Sequence, residues 1–391
     1  MNADVFWSVT FLLTACAAAL WLAYGSDPSV ALQLGGLHLL TLTRRLQWVL
    51  LVATVVPCLG LIVRVSIGRA NVAWLAGLSI VVALLFVRFS PDTKRPVRIL
   101  ETSSMPTVAE AGLDLDDEFV VGFEFQDVAY ALPYRSVYRT PIVQITDFDR
   151  RALVIFSPYA NSATVLDVTR EVRATDLEYH SAPDNSTLVY NRKYGEFIVG
   201  VTGATDTGAV PTGVRGRVDT RRVPLREWRR THPESRLMMP TPADAGLPGV
   251  PLMPRYEVKL ADTSLPSETP VLLIHTTPPV AMLMGESFDE PALIQSGKLM
   301  LVLWSDAGQT RCFVRSVDED LFLTFEPRVD GKRHRYVDAQ TNSVWTPDGR
   351  CVEGLLKGKK LSEIRVEENV YWGVSKTWWP DLTLIRRATS R

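Results

Sequence analysis

Three long hydrophobic runs open this chain, and polar residues become frequent only after them. The runs cover residues 5–24, 46–63 and 72–87, and the first contains no charged residue. A helix of about 20 residues rises about 30 Å, the thickness of the hydrocarbon core of a bilayer. Residues 1–90 are therefore predicted to form a membrane anchor with three transmembrane helices, and the lipid bilayer is an expected partner.

A fourth apolar stretch, residues 28–42, is interrupted by Gly35, Gly36 and His38. We interpret it as an interfacial or re-entrant segment. A cleaved signal peptide explains the first run poorly, because no basic residue precedes it and two further runs follow. The three runs contain no Asp, Glu or Lys, whereas transporters and proton pumps need such groups within the membrane. The pattern therefore favours an anchoring role.

Basic residues flank the hydrophobic runs and bear on the orientation of the chain. The positive-inside rule places the N-terminus outside a bacterial cytoplasmic membrane and the large C-terminal part in the cytoplasm. A periplasmic C-terminal part stays open as the alternative, because the first two loops carry two arginines each. The flanking residues are Arg44, Arg45, Arg64, Arg69, Arg88, Lys94, Arg95 and Arg98.

From residue 118 onward the chain alternates short β-branched or aromatic runs with turn residues, which is typical of strands. Few stretches have a clean helical period, and the best short helix is predicted at residues 226–231, which follow Pro224. Prolines are dense between residues 240 and 270, where they stiffen an extended backbone. We therefore predict a first strand-rich domain at 107–240, a connector at 241–270 and a second strand-rich domain at 271–391. Hairpins are predicted around residues 126–127, 148–151, 306–308, 330–331 and 348–349.

The predicted fold class is three N-terminal transmembrane α-helices followed by a mainly β, two-lobed soluble region. The two lobes end in similar sequences. Trp228 precedes Pro233 in the first lobe, and Trp372 precedes Pro380 in the second. In both lobes an acidic residue follows the Pro, and a Leu lies three residues beyond that acid. This repetition favours an internal duplication.

The second lobe also contains the pattern Asp338-x-x-Thr341-x-Ser343-x-Trp345, followed by a Gly-x-x-x-Gly-x-x-Leu run at residues 354–361. With a Leu-Pro-Tyr-Arg stretch at residues 132–135, these motifs resemble the domain-of-unknown-function 3179 family of bacteria and archaea. The resemblance covers roughly residues 107–385, as two diverged copies behind a membrane anchor.

The chain departs from that family at the residues best suited to bind a metal. Where the family has Cys-Pro-Leu-Cys, this chain has Ser157-Pro158-Tyr159-Ala160, and the family's Trp-His-Glu stretch has no counterpart. A hydroxyl stays protonated near neutral pH and binds soft metals weakly. The resemblance therefore implies that any metal or redox site of the family is lost here, and no metal, cofactor or catalytic residue is expected.

Composition limits the remaining candidates. The net charge of −1 provides no global field for nucleic acid. Cys312 and Cys351 are either a disulfide pair or two buried thiols. His232 has no nucleophile at a defined spacing, and His334 lies in no metal-binding pattern. A basic patch is the candidate contact for a partner or for lipid, with a solvated helix face as the alternative; it comprises Arg221, Arg222, Arg226, Arg229 and Arg230.

These observations favour a membrane-anchored, non-catalytic scaffold that is an accessory subunit of a larger membrane complex, such as an electron-transfer assembly, and binds other subunits of it. One alternative is a metal-dependent enzyme or carrier with a site rebuilt around Cys312, Cys351 or His334. The other is a ligand-binding sensor of the cell envelope.

The orientation has a direct test. A fluorescent protein fused after Arg391 is expected to be bright, because the basic residues around the spans favour a cytoplasmic C-terminus. The matched fusion of alkaline phosphatase at the same position should be inactive. An active phosphatase with a dark fluorescent fusion would reverse the orientation.

Overall fold

The structure is a computed structural model that describes residues 3–89, 99–147, 150–252, 264–284, 291–306, 309–318, 321–330 and 333–385. Three helices precede the β-rich region, and four short ones lie within it. The first three are α1 (Ala3–Tyr24), α2 (Pro28–Ser66) and α3 (Trp74–Phe89). The others are α4 (Val108–Ala111), α5 (Tyr134–Arg139), α6 (Leu225–Thr231) and α7 (Trp372–Trp378). The predicted short helix after Pro224 is confirmed as α6.

Helix α2 is much longer than the predicted span because it includes the interrupted stretch at residues 28–42. Gly36 has a φ of +66°, a left-handed conformation that interrupts the helix. The chain turns back at Gly36. Pro28 begins α2 only a few residues after α1 ends, yet the indole of Trp21 near the end of α1 donates a hydrogen bond to Thr43 Oγ1, beyond Gly36, at 3.0 Å. The segment before Gly36 therefore forms a helical hairpin with the start of the long segment.

The first two helices contain apolar segments long enough to cross a bilayer, namely Ala3–Tyr24 and Gly36–Ser66. They run antiparallel, and Asp4 at the start of α1 pairs with Arg64 near the end of α2 at 2.6 Å. Helix α3 has 16 residues and packs parallel to α1, with Val81 against Ala15. Its length is short for a complete crossing, about 24 Å.

The first half of the β-rich region, residues 99–252, contains three sheets. Their strand orders are β1-β4-β5-β6-β10, β11-β2-β3-β12 and β7-β8-β9. The strands are β1 (Ile99–Thr102), β2 (Phe119–Phe125), β3 (Val128–Pro133), β4 (Ile142–Asp147), β5 (Arg150–Ser157), β6 (Ser162–Val168), β7 (Leu177–Ser181), β8 (Leu188–Asn191), β9 (Glu196–Val199), β10 (Val214–Val218), β11 (Thr220–Pro224) and β12 (Arg236–Leu237).

The second half, residues 264–385, contains sheets ordered β15-β16-β17-β24, β25-β13-β14-β26 and β20-β21-β22-β23, with a small β18-β19 pair. The strands are β13 (Pro270–Ile274), β14 (Val280–Leu283), β15 (Ala292–Ser296), β16 (Leu299–Asp306), β17 (Gln309–Val314), β18 (Ser316–Asp318), β19 (Leu321–Phe322), β20 (Phe325–Asp330), β21 (Arg333–Asp338), β22 (Val344–Trp345), β23 (Cys351–Glu353), β24 (Glu363–Ile364), β25 (Val366–Tyr371) and β26 (Thr383–Leu384).

One four-stranded sheet has a corresponding strand order in each half, β11-β2-β3-β12 and β25-β13-β14-β26. In each, an antiparallel hairpin is flanked by a late antiparallel strand, and a seven-residue helix then leads to a short parallel strand. The register also agrees: Leu237 pairs with Ala131 in the first half, and Leu384 pairs with Ala281 in the second.

The hairpins at residues 126–127 and 348–349 are confirmed. Gln126 and Asp127 both have positive φ values, 55° and 62°, as the tight turn between β2 and β3 requires. Strand β1 lies before the predicted start of the first domain and pairs parallel with β4. Part of the predicted connector, residues 253–263, lies outside the described residues. The segment before it packs on the first half, where Phe119 N donates to Gly249 O.

The start of α2 packs against the β7-β8-β9 sheet. Leu37 and Leu40 share a buried cluster with residues of β8 and β9, including Phe197. Arg44 pairs with Glu178 at 3.1 Å, and Thr41 donates to Asp206 at 2.9 Å. The β-rich region is therefore fixed to the N-terminal helices by an apolar contact with a polar border.

Removing the anchor should uncover this contact. A fragment of residues 91–391 is expected to self-associate without detergent, because the apolar face formed by Leu188, Phe197 and Val199 becomes exposed to water. Size-exclusion chromatography with light scattering measures this. The same fragment in mild detergent, which covers the face, is the control and should be monomeric. A monodisperse monomer in buffer alone would contradict the expectation.

Candidate functional site

The two halves of the β-rich region meet where β11 faces β25, and a buried carboxylate lies at this junction. Glu367 is 1% exposed and interacts with Arg217 and Arg222 of the first half. His275 and Arg365 reach it from the second half. Its Oε1 lies 3.1 Å from Arg217 Nη2 and 3.0 Å from His275 Nε2. One carboxylate therefore holds basic side chains from both halves.

Two opposing effects set the charge of Glu367. Burial alone would raise its pKa, because the ionised form loses its hydration. The charges of Arg365 and Arg222 and a hydrogen bond from His275 outweigh burial and hold the pKa at about 2. Glu367 is therefore ionised at neutral pH.

Backbone carbonyls accept further guanidinium hydrogens at the junction. Arg222 is 6% exposed and donates to Asn161 O and to Glu368 O, so one side chain bonds both halves. Arg217 donates to Thr202 O at 2.6 Å. Carbonyl dipoles thus stabilise positive charges that the single carboxylate cannot balance.

The turn formed by Ser157-Pro158-Tyr159-Ala160 lies at this junction. Ser157 is fully buried, and its Oγ accepts a hydrogen bond from Thr187 N at 3.0 Å. Ala160 packs with Tyr371 and Val374 of the second half. Ser157 therefore fixes the turn within the first half, and Ala160 contributes packing to the contact between the halves.

Asn161 ends that turn with a φ of +48°, which Asn tolerates better than most residues. Its Oδ1 accepts a hydrogen bond from Tyr134 Oη at 2.7 Å, and its Nδ2 donates to Asn369 O at 2.9 Å. Asn161 is 2% exposed, so these bonds are shielded from water.

A polar cleft of about 330 Å³ opens beside the junction, with walls from both halves. Arg311 is held in it by Glu363 through two hydrogen bonds of 2.8 and 2.7 Å. The polar lining carries both signs of charge and includes Glu124, Asp219, Arg221, Arg311, Glu363 and Arg365. Such a mixture suits a small polar molecule better than an apolar one.

The predicted basic patch is divided by the fold. Arg222 is buried at the junction and so is not available to lipid or to a partner surface. Arg221 lines the cleft. Arg226, Arg229 and Arg230 lie on exposed turns of α6, and the first two pair with Asp117 and Asp116 respectively. A contact of these helix residues with lipid or a partner stays a prediction.

The family motif of the second half holds a hairpin together. The Asp338 carboxylate is fully buried and accepts hydrogen bonds from Thr341 N at 2.6 Å and from Trp345 Nε1 at 2.9 Å. Ser343 Oγ accepts from Leu356 N at 3.1 Å. These bonds satisfy polar groups within the hairpin and fix the buried Trp345.

The two glycines of the following run have backbone roles. Gly354 and Gly358 have φ values of 94° and 88°, which side chains rarely allow. A Cβ on Gly354 would also lie 2.7 Å from Ser343 Cα. The spacing of this motif is therefore explained by the geometry of the loop.

The closing tryptophans and prolines also have structural positions. Trp228 is 3% exposed and covers Gly122, where a Cβ would lie 2.5 Å from the indole. Trp372 is fully buried at the start of α7. Pro233 and Pro380 are exposed and follow the helix ends, where a residue without an amide hydrogen is tolerated.

His232 ends α6 and stacks on Trp228 with ring centroids 4.0 Å apart. Its Nε2 lies 2.8 Å from Glu124 Oε1, and its Nδ1 lies 2.8 Å from Thr231 Oγ1. The Thr231 hydroxyl also donates to Trp228 O. These local contacts fit a helix-capping role for His232.

Cys312 and Cys351 are free buried thiols in two different hydrophobic clusters. Burial raises the pKa of both, with a further contribution from Glu363 for Cys312. Raised values keep a thiol protonated and unreactive. Within the described part of the chain, no three His, Cys, Asp or Glu residues group as metal ligands. The side chain of His334 lies outside that part.

Sequence reasoning missed the central group of the site. Arg365 and Glu367 are two residues apart, a spacing that places side chains on one face of an extended chain. This spacing is the only local signal, and an ordinary exposed ion pair on a strand has the same spacing. The other basic residues come from positions far away in sequence, separated by up to 150 residues.

Taken together, these features define a class of protein with apolar N-terminal helices and a β-rich region whose halves share one buried ionic junction. Residues 99–382 match the family described as "Protein of unknown function (DUF3179)". The chain belongs to this family. No curated protein and no solved structure matches it.

Neutralising the junction carboxylate should destabilise the protein strongly. Glu367→Gln leaves buried guanidinium groups without a counter-charge and is expected to cost about 3–5 kcal/mol of unfolding free energy. The thermal midpoint of the full chain in mild detergent measures the loss. Glu363→Gln, which breaks the more exposed pair with Arg311, is the control and should cost at most about 1 kcal/mol. Equal losses would contradict a special role for Glu367.

Acid should weaken the junction only at low pH. The pKa of Glu367 is about 2 in the folded chain, below its ordinary 4.5, so its ionised form stabilises the fold. This contribution is complete above pH 4.5 and is lost as the pH falls toward 2. In an acid titration of unfolding free energy, the difference between wild type and Glu367→Gln should shrink in that window. A constant difference would contradict this assignment.

Proposed function

We propose that the chain is a membrane-anchored, non-catalytic scaffold that serves as an accessory subunit of a larger membrane complex, with an electron-transfer assembly as one such complex. The observation that carries the proposal is the junction itself. There, Ala160 packs with Tyr371 and Val374 of the second half, and Asn161 donates a hydrogen bond to Asn369 O. Rigid surfaces of this kind are suited to docking.

We also propose that the two halves are diverged copies of one unit. In support, one four-stranded sheet, its closing helix and the register of its last strand correspond between the halves. In such a duplicated protein the turn at residues 157–160 joins the two units, and their outer surfaces remain for binding.

The anchor in this proposal consists of α1, α2 and α3, with α3 as a third crossing. Its support is the packing of Val81 against Ala15 and Ala19 of α1. The N-terminus then lies opposite the β-rich region. In the proposed orientation, that region is cytoplasmic and the membrane is the bacterial cytoplasmic membrane.

The cleft favours one alternative function, a sensor of a small polar ligand. Its walls come from both halves, so a ligand there would change the contact between them. A library of polar metabolites screened by thermal shift tests this alternative. A saturable rise in melting temperature that Arg311→Gln abolishes would favour the sensor over the scaffold.

Membrane attachment and assembly have a joint test. The full chain is expected to stay in the membrane pellet after alkaline carbonate washing, because apolar helices hold it there. After extraction in mild detergent, a partner should co-purify in a fixed ratio. Release by carbonate would defeat the anchor, and a lone monodisperse protein would defeat the scaffold. Near-stoichiometric zinc, copper or iron in protein purified without a metal column would favour the metal-dependent alternative.

Substitutions separate structural from chemical roles. Cys312→Ala, Cys351→Ala, His232→Gln and His334→Gln are expected to leave the co-purifying ratio unchanged, at a cost of about 1–2 kcal/mol each. Trp228→Ala is expected to cost about 3–5 kcal/mol, because it removes a large buried ring. Pull-down ratios and thermal midpoints measure both effects. Loss of the partner in a stable Cys312→Ala or His334→Gln protein would contradict a purely structural role.

A further inference from the structure

With the proposed anchor in a bilayer, the hairpin formed by β8 and β9 points its turn toward the membrane. Along α2, Thr41 contacts Asp206, which lies beyond the end of β9. Arg44 lies over the Tyr190 ring at 5.0 Å, and Arg45 Nε donates to Gly195 O at 3.3 Å. As α2 approaches its membrane-crossing segment, its contacts move from the far end of the hairpin to the turn. The turn is therefore the part of the hairpin nearest to the bilayer.

The level of this turn matches the headgroup layer. Thr43 accepts a hydrogen bond from Trp21, which lies near the end of α1. Trp48, one helical turn after Arg45, is 70% exposed. Amphipathic tryptophan rings favour the boundary between lipid and water. Gly195 lies beside Arg45, between these two markers.

The surface at this level is basic. Arg192 and Lys193 are exposed in the turn, and a shallow depression next to it contains Arg170 and Arg173. Glu171 and Asp176 are its acidic members, and Glu171 pairs with Lys193 at 3.1 Å. Basic residues are in excess, which complements the charge of anionic lipids. We call Arg170, Arg173, Arg192 and Lys193 the basic tip.

We propose that the basic tip binds anionic lipid headgroups and so holds the β-rich region against the membrane surface. This inference rests on the proposed membrane anchor and adds a second attachment to it. The tip is distinct from the arginines of α6. Anionic lipid strengthens surface binding roughly fivefold for each basic residue it contacts.

The test uses the full chain in lipid nanodiscs and measures amide hydrogen exchange of residues 192–195. Exchange is expected to slow fivefold or more when phosphatidylglycerol replaces part of the phosphatidylcholine. Equal exchange in both lipids would overturn the proposal. Protection produced by inorganic phosphate in pure phosphatidylcholine discs would also overturn it, because the tip would then be a free-anion site.

Variants locate the effect. Arg192→Gln with Lys193→Gln should abolish the lipid-dependent protection, while Arg229→Gln with Arg230→Gln on α6 should leave it intact. The reverse result would overturn the proposal. Because these side chains are exposed, neither pair should lower the thermal midpoint much. A chain that leaves the disc during a carbonate wash would defeat the anchor instead, so the two failures are distinguishable.

Discussion

The fold of the β-rich region depends on one buried carboxylate. Glu367 balances guanidinium groups that two separate halves bring to the same place. A hydrophobic joint of the same area would be tolerant of sliding, whereas charges in a low-dielectric interior require their partners at fixed distances. The ionic contact therefore sets how the halves are aligned, and the shape of the cleft beside it depends on that alignment.

The same junction limits the chemistry open to the turn at residues 157–160. A turn that carries thiolates must leave them accessible and ionised. In this chain the turn is enclosed by the second half, and its polar atoms are used in structural bonds. Closure of the joint and chemistry at the same turn impose opposite requirements on solvent access. A protein whose turn closes the joint at this position has little access for solvent or substrate, and so little scope for chemistry at the same turn.

The sequence predicts local structure well and the site poorly. The β2-β3 hairpin and helix α6 follow from alternation and from Pro224, because both signals lie within a few residues. Gly36 marks the interruption in the sequence, but the packing of Leu37 and Leu40 on the β-rich region depends on contacts with distant strands. The partners of Glu367 could not be predicted, since charge pairing over long sequence distances leaves no periodic signal. The exposed and buried arginines of the 221–230 segment look alike in sequence for the same reason.

The long separation of the junction partners matters while the chain is being made. Arg217 and Arg222 are synthesised long before Glu367, which lies near the C-terminus. The first half emerges with cationic groups that have no counter-ion, so its inner surface stays hydrated until the last strands arrive. The junction is then completed only when the C-terminal strands are made. Premature termination near residue 360 would leave an anchored intermediate with an open, charged face.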